Sequence, residues 1–291
     1  YDTSGISSDS FDQAVQFNTQ GEAGLTESMR QKGISLSTSV ETSVMYFGFN
    51  MKDPVVGGDS EQARLLRRAI SIVVDYEEYI AIFANGRGVT AQGVLPPGIF
   101  GHREGDHNPY AFTKESGRLQ RRSVEEARQL MVKAGYPNGM EKANNKPLVL
   151  YFDVAAAGPD ATPRLNWLRK LLKKVGVQLV LRTTDYNRFQ EKMRKGTGQM
   201  FWWGWNADYP DPENFFFLLH GPQGKVDHGG ENAANYDNSE FNALFDQMKN
   251  MANGPERLQV IDRMTEILRR DAPWIWGYFP KAFSLHHDWY H

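Results

Sequence analysis

The chain has 291 residues, no cysteine and a formal net charge of −2, from 33 basic and 35 acidic residues. This length can bury an ample core in one large domain or in two smaller ones. The lack of cysteine excludes disulfides and thiol catalysis. The evenly mixed charges give no electrostatic footprint for nucleic acid, and no apolar run is long enough to insert into a membrane.

The first 85 residues predict one strand and one long helix after a polar start. Residues 1–40 are rich in serine and threonine, and residues 44–50 form an apolar, β-rich run that predicts a buried strand. Asp59 and Gln62 form a capping-box pattern at the start of a helix. One continuous apolar stripe predicts that this helix extends to residue 83.

Strands and helices alternate in the second half of the chain, after a second capping box at Ser123 and Glu126. Such alternation with short links indicates a doubly wound α/β layer with parallel strands. Strands are expected at 148–153, 177–183 and 199–203, helices between them at 163–175 and 186–195, then helices at 239–250 and 255–270 and a strand at 274–279.

Residues 201–217 are the most informative segment for function, because seven of the 17 positions are Phe or Trp and Asp208 lies among them. Aromatic walls with a few polar groups are typical of sites for amphiphilic organic ligands. A carboxylate there would select a cationic group, such as the α-amine of a peptide. The alternative is that the aromatic residues are core and Asp208 caps a loop. Ligands bind beyond the carboxyl ends of strands in doubly wound sheets, and a position just after the third strand favours a site.

Catalytic interpretations of the same region are weaker. Asp208, Asp211 and Glu213 could include the paired carboxylates of a glycosidase. Pro210 and Pro212 flank Asp211, however, so these acids are more simply turn formers and caps.

Metal and phosphate sites are also not indicated. Two groups of His and acidic residues lack the regular spacing of a zinc site, and the chain has no phosphate-binding loop and no nucleophile elbow. We therefore expect a binding protein without catalytic residues, bound metal or cofactor. The two groups are His286, His287, Asp288 and His291, and Asp227, His228 and Glu231.

Six segments of the chain are similar to a known family: residues 46–51, 63–75, 90–97, 127–136, 204–212 and 235–241. Together and in this order, they resemble the peptide-binding branch of the extracellular solute-binding proteins that deliver ligands to bacterial ABC importers. This resemblance implies a periplasmic-binding-protein-like α/β lobe, with a doubly wound mixed sheet flanked by helices, plus part of a second lobe. It also implies a non-enzymatic role.

The resemblance implies specific site residues. In the family a Gly-Trp-x-x-Asp segment lines the ligand cleft and its Asp pairs with the ligand's α-ammonium; these positions are Trp205 and Asp208 here. Tyr186 matches a cleft aromatic of oligopeptide-binding members. The other residues expected in the ligand site are Trp202, Trp203, Asn206 and Tyr209.

One departure from the family concerns the ligand's carboxylate. Two arginines that hold ligand carboxylates in some oligopeptide-binding members correspond to Met193 and Trp202 here, and the adjacent Arg194 is expected on a different helix face. A modified, longer or partly apolar ligand is therefore expected rather than a short peptide with a free carboxylate. The additional Trp202 and Trp203 fit such a ligand.

Family members are longer than this chain, so the resemblance implies a part of a larger protein. Residues 1–50 are expected to end a first lobe, 51–280 to form the carboxyl-terminal ligand-binding lobe, and 281–291 to begin the return to the first lobe. The expected protein is monomeric and periplasmic, or on the outer face of the membrane if it is lipid-anchored. Its expected partners are a peptide or peptide-like ligand and a membrane permease.

Two rival functions use other features of the chain. A carbohydrate-binding or carbohydrate-processing protein would use Trp202, Trp203 and Trp205 as platforms for sugar rings. A metal-dependent hydrolase would use the histidine groups described above.

Overall fold

The computed structural model describes residues 3–7, 10–18, 22–155 and 161–289, and a mixed sheet of eight strands runs through this part of the chain. The strands are β1 (Thr3–Gly5), β2 (Val15–Phe17), β3 (Ala23–Leu25), β4 (Ile34–Val40), β5 (Ser43–Phe49), β6 (Gly88–Thr90), β7 (Phe112–Glu115), β8 (Arg118–Arg121), β9 (Val149–Ala155), β10 (Gln178–Thr184), β11 (Met200–Asn206) and β12 (Trp274–His287). The α-helices are α1 (Phe11–Ala14), α2 (Glu27–Arg30), α3 (Glu61–Val73), α4 (Tyr76–Phe83), α5 (Val124–Lys133), α6 (Ala161–Lys173), α7 (Tyr186–Lys195), α8 (Glu213–Phe216), α9 (Lys225–His228), α10 (Ser239–Met248) and α11 (Pro255–Asp271).

The sheet combines a parallel part with an antiparallel part. Its strand order is β1-β12-β5-β11-β9-β10, and β4 and β6 also pair with β12. β9 pairs in parallel with both β10 and β11, whereas β5 is antiparallel to β11 and β12. The expected doubly wound mixed sheet and its three parallel strands are therefore confirmed.

Helices cover both faces of this sheet. Side chains alternate between the two faces along each strand, so each face carries apolar side chains that pack against helices. One hydrophobic cluster joins Phe201 of β11 to residues of α7, α8, α10 and α11. The other joins Phe47 of β5 and Phe152 of β9 to residues of α3, α4, α5 and α6. Gly48, opposite Phe201, leaves room for its ring, since a Cβ there would lie only 2.2 Å from a ring carbon.

The helix predicted to run from residue 59 to residue 83 is in fact two helices, α3 and α4. α3 is capped by Ser60, one residue after the expected Asp59, and Asp75 accepts a hydrogen bond from the Glu78 N–H to begin α4. Arg121 stabilises the break, because its guanidinium donates to the carbonyls of residues 71 and 72 at the end of α3. A charged group from a distant hairpin thus satisfies carbonyls that a continuous helix would use itself.

Other sequence-based boundaries agree closely with the structure. α7 has exactly the predicted bounds: the Asp185 side chain accepts from the Arg188 N–H at its start, and Gly196 ends it with a left-handed φ of 66°. The capping box of Ser123 and Glu126 begins α5 as expected. β12 is longer than expected, since it continues through residue 279 to His287.

The expected division into lobes at residues 50 and 280 stays a prediction. β5, assigned by sequence to the first lobe, lies between β11 and β12 at the centre of the sheet. β12 continues across the second boundary and pairs with β4 and β1 beyond it. Among the described helices, none combines the length and the apolar character that crossing a bilayer requires.

Candidate functional site

β11 contains four of the seven Phe and Trp residues of segment 201–217, although the segment is expected to follow this strand. Phe201 is fully buried, and Trp203 and Trp205 pack partly buried on the same face of the sheet. Opposite them on β5, Tyr46 faces Trp203 and Val44 faces Trp205. The strand therefore presents a row of aromatic rings to the face that α7 covers.

Trp202 lies on the other face of the sheet, because successive side chains of a strand point in opposite directions. Its ring is 6.5 Å from the rings of both Phe47 and Tyr79, between centroids. With Trp167 it lines an apolar cavity of about 270 Å³ between the sheet and α6. The structure does not bring Trp202 together with Trp203 and Trp205.

A second cavity, of about 510 Å³, lies at the end of β11 and collects five of the seven predicted site residues. These are Tyr186, Trp203, Trp205, Asn206 and Asp208. Tyr46, Arg194, Lys225 and Glu231 also line it. We call this space, with these nine residues, the β11 cavity.

Tyr209, the remaining predicted site residue, does not line the β11 cavity. Its ring is 47% exposed and its hydroxyl donates a hydrogen bond to Glu213. This hydrogen bond is the main cause of a raised pKa of Tyr209. The side chain therefore serves the turn that follows β11.

Asn214 positions both Trp205 and Asp208. Its Oδ1 accepts from the Trp205 Nε1–H at 3.2 Å and from the Asp208 N–H at 2.8 Å. Asn214 is 3% exposed, so these two hydrogen bonds hold the loop after β11 from inside the protein. Sequence reasoning missed this residue, and the only signal for it was a polar side chain directly before the apolar run at residues 215–219.

The carboxylate of Asp208 is exposed and forms no ion pair in the described part of the chain. Its one hydrogen bond is a long contact of 3.4 Å from Asn214 Nδ2. The carboxylate is thus oriented but not neutralised, and it is available to a cationic group.

Asp211 differs from Asp208, because Arg257 neutralises it. The guanidinium donates to both carboxylate oxygens, at 2.7 and 2.8 Å. Burial alone would raise the pKa of Asp211, but hydrogen bonds from Arg257 and from the Glu213 N–H lower it below its ordinary value. A carboxylate held as an ion in this way is unsuited to give a proton as a glycosidase acid must, and it fits the turn-forming role instead.

Arg194 is exposed and lines the β11 cavity, whereas Met193 before it does not, so the two side chains lie on different faces of α7. Its one hydrogen bond goes to Gln190 Oε1, at 3.3 Å, and no carboxylate pairs with it among the described residues. Met193 is only 3% exposed and belongs to the core. The family resemblance places an arginine at the position of Met193. Here α7 supplies a cation to the cavity one position later, at Arg194.

Lys225 and Glu231, which also line the cavity, form an ion pair with 3.0 Å between Nζ and Oε2. Burial, and then the negative charge of Glu231, raises the pKa of Tyr46, so that its hydroxyl keeps its proton. Two cations and two anions thus line the same space.

The described residues contain no group of three or more His, Asp or Glu that could hold a metal ion. Asp227 pairs instead with Lys52, at 2.6 Å. Asp288 accepts a hydrogen bond from Ser35, and His291 lies outside the described residues.

Comparison with known families gives one clear match. The model of a family described as bacterial extracellular solute-binding proteins, family 5 Middle, matches residues 8–227. This range includes β11 and the predicted site residues.

Curated relatives are named as binding proteins, not enzymes. Heme-binding protein A of Haemophilus influenzae is 28% identical over 220 residues, which cover 76% of this chain and 36% of that protein. Di/tripeptide-binding protein 4 of Pseudomonas aeruginosa is 25% identical over 211 residues, covering 70% of this chain and 35% of that protein. The chain spans little more than a third of these relatives.

Solved structures support the fold. HbpA2 from Haemophilus parasuis superposes with a TM-score of 0.73 at 20% identity, covering 89% of this chain and 47% of that one. DppA from Helicobacter pylori, in complex with the peptide STSA, gives 0.72 at 20% identity, covering 91% and 48%. The chain therefore corresponds to about half of each of these proteins.

Proposed function

Since the chain belongs to family 5 of the bacterial extracellular solute-binding proteins, we propose that it forms part of the substrate-binding component of an ABC importer. In this proposal the protein captures a peptide or peptide-like ligand in a cleft between two lobes and delivers it to a membrane permease. Closure of the lobes over the ligand is the conformational signal that the permease reads. The proposed location is the periplasm.

The observation that carries this proposal is the carboxylate of Asp208. It lines a cavity with aromatic walls and has no ion pair among the described residues. A ligand ammonium would complete a charge-assisted hydrogen bond there, which contributes about 1.5–3 kcal/mol. Trp203, Trp205 and Tyr186 would add apolar contact that tolerates different side chains.

Arg194 supports a ligand that also carries an anionic group. This guanidinium lines the same cavity and has no carboxylate partner in the described ranges. The volume of about 510 Å³ lies within the usual range of small-molecule sites. Met193 and Trp202, taken alone, argue against a ligand with a free carboxylate. Because Arg194 lines the cavity, a short peptide with both termini free is nevertheless a good candidate.

The names of the relatives are consistent with this ligand class, since several are called dipeptide-, tripeptide- or oligopeptide-binding proteins. No observation favours the carbohydrate alternative, which needs Trp202, Trp203 and Trp205 on one surface. Because the chain spans about half the length of its structural relatives, we also propose the lobe division given above, with residues 51–280 as the ligand-binding lobe.

Calorimetric titration of the full-length protein with di- and tripeptides tests the proposal. We expect binding of peptides with a free α-ammonium. N-acetylation should weaken binding by about 10-fold or more, because it removes the charge that would pair with Asp208. Binding of oligosaccharides in place of peptides, or equal affinity for free and acetylated peptides, would contradict the proposal.

A further inference from the structure

The ion pair of Lys225 and Glu231 is unequally buried. The Lys225 side chain is 9% exposed, whereas the Glu231 side chain is 46% exposed. The ammonium thus lies at the wall of the β11 cavity with little access to water, and its carboxylate partner approaches from the open side. An exposed carboxylate can be exchanged for another anion at low cost, but a desolvated ammonium needs some anion beside it.

Lys225 keeps hydrogen-bonding capacity beyond this pair. A lysine ammonium has three N–H donors, and the contact with Glu231 Oε2 uses one of them. The ammonium also lies 5.5 Å from the centroid of the Trp203 ring, within range of a cation–π interaction. An anion that enters the cavity beside Trp203 would therefore find free donors.

The backbone around the pair is held firmly, so that only side chains need to move. The Lys225 N–H donates to the Asn232 carbonyl at 3.0 Å. Asn232 is fully buried, and its side chain donates to the carbonyls of His220 and Tyr236. Glu231 precedes this anchored residue, so its side chain can turn to solvent while its backbone stays in place.

We propose that Lys225 is a specificity-determining residue that binds an anionic side group of the ligand, and that Glu231 occupies this position until such a ligand arrives. This inference rests on the proposed function, since it concerns the same cavity. The preferred ligand is then a peptide-like ammonium compound with an acidic side chain in addition to its terminal carboxylate. Asp208 and Arg194 receive the ligand's termini, and Lys225 receives the extra carboxylate.

Two isosteric tripeptides, Ala-Glu-Ala and Ala-Gln-Ala, test this inference in the full-length protein by calorimetry. In Lys225→Met we expect the affinity for Ala-Glu-Ala to fall by about 10-fold, with that for Ala-Gln-Ala changed by less than about 2-fold. In Glu231→Gln we expect the affinity for Ala-Glu-Ala to rise selectively, because its competitor is gone. Lys52→Met is the matched control: it removes a lysine that pairs with Asp227 and does not line this cavity, so neither affinity should change.

The outcomes separate this inference from the function on which it rests. If both tripeptides bind, and Lys225→Met and Glu231→Gln leave the ratio of their affinities unchanged, Lys225 does not determine specificity. If Lys52→Met alters the ratio as Lys225→Met does, the effect comes from net charge and the inference is wrong. If the wild-type protein binds neither tripeptide, the peptide proposal fails and the inference fails with it. Glu231→Gln keeps an acceptor oxygen for the Lys225 ammonium on a half-exposed side chain, so this variant should fold even if Lys225→Met does not.

Discussion

Arg257 donates two parallel hydrogen bonds to the carboxylate of Asp211, and it thereby ties α11 to the turn that follows β11. The same guanidinium donates to the Met248 carbonyl and to Asn253, and its residue is 3% exposed. A buried arginine with four hydrogen bonds fixes the position of the turn that carries Asp208. This ion pair therefore fixes the turn that carries Asp208, although neither of its residues lines the β11 cavity.

Replacing this arginine should destabilise the fold. In Arg257→Met, Asp211 and two further acceptors lose their donors, and we expect the free energy of unfolding to fall by about 3 kcal/mol. Arg263→Met, on the same helix, removes exposed pairs with Glu240 and Glu266 and should cost less than about 1 kcal/mol. Urea denaturation of both variants measures the difference. Equal losses of unfolding free energy would mean that the buried pair with Asp211 contributes no more than the exposed pairs of Arg263.

The pH dependence of stability should carry the signature of Asp211. Its pKa in the folded protein lies below the ordinary value of 3.8, so the unfolded chain takes up a proton at higher pH than the folded one. The stabilisation is therefore complete above about pH 4–5 and is lost as the pH falls through the lowered pKa. We expect the difference in unfolding free energy between wild type and Asp211→Asn to shrink from pH 6 to pH 3. A difference that grows over this range would contradict the assignment.

Asp208→Asn should act on ligand affinity rather than on stability. The substitution leaves a ligand ammonium without its counter-charge, which costs about 2–5 kcal/mol, or about 30-fold to several thousand-fold in affinity. Stability should change little, because the carboxylate is exposed and unpaired in the described structure. An N-acetylated ligand should bind wild type weakly and be indifferent to the substitution. Asp262→Asn, which breaks the exposed pair with Arg103, is the control.

If Asp208→Asn instead lowers the melting temperature and leaves peptide affinity intact, Asp208 is a structural cap. Calorimetry and thermal unfolding of the same preparations decide between the two roles.

Asn214 does not line the β11 cavity, so Asn214→Ala should act on the site indirectly, through Trp205 and Asp208. The substitution leaves the Trp205 and Asp208 N–H groups without their buried acceptor, which costs about 1–3 kcal/mol of stability. We also expect weaker peptide binding, because the Trp205 ring and the Asp208 carboxylate lose their fixed orientation. Asn214→Asp keeps the acceptor oxygen but buries a second carboxylate against Asp208, so it should not recover the stability. Unchanged affinity in Asn214→Ala would show that this residue does not position the site.

Trp202 and Trp203 are neighbours that should behave differently. Both are partly buried, so Trp202→Ala and Trp203→Ala should each lower stability, by about 2–4 kcal/mol. Only Trp203→Ala should weaken peptide binding as well, because Trp203 lines the β11 cavity and Trp202 faces α6. The comparison is made by calorimetry at a temperature where both variants are folded. A larger loss of affinity in Trp202→Ala would contradict the assignment of faces.

The sequence predicted the elements whose causes are local. The capping box of Ser123 and Glu126 and the apolar periodicity between residues 148 and 203 are sufficient to predict α5, α7 and the parallel strands. The break between α3 and α4 was missed because one apolar stripe runs across it: Asp75, which caps α4, was a local signal, but Arg121, which also stabilises the break, is about 50 residues away. Sequence periodicity alone cannot reveal a hydrogen bond from so far along the chain.

At the site, the sequence alone determined the chemistry on offer: a carboxylate at Asp208 within an aromatic segment, and a family resemblance that the comparisons confirm. Only the tertiary structure decided which side chains share the β11 cavity. Extending β11 to Asn206 placed Trp205 on the same face as Trp203, and the packing of α7 placed Arg194 at the cavity. Lys225 at the start of α9 and Glu231 just after this helix reach the cavity, although both are more than ten residues beyond β11. Such contacts depend on strand pairing and helix packing between distant segments, which residue spacing does not encode.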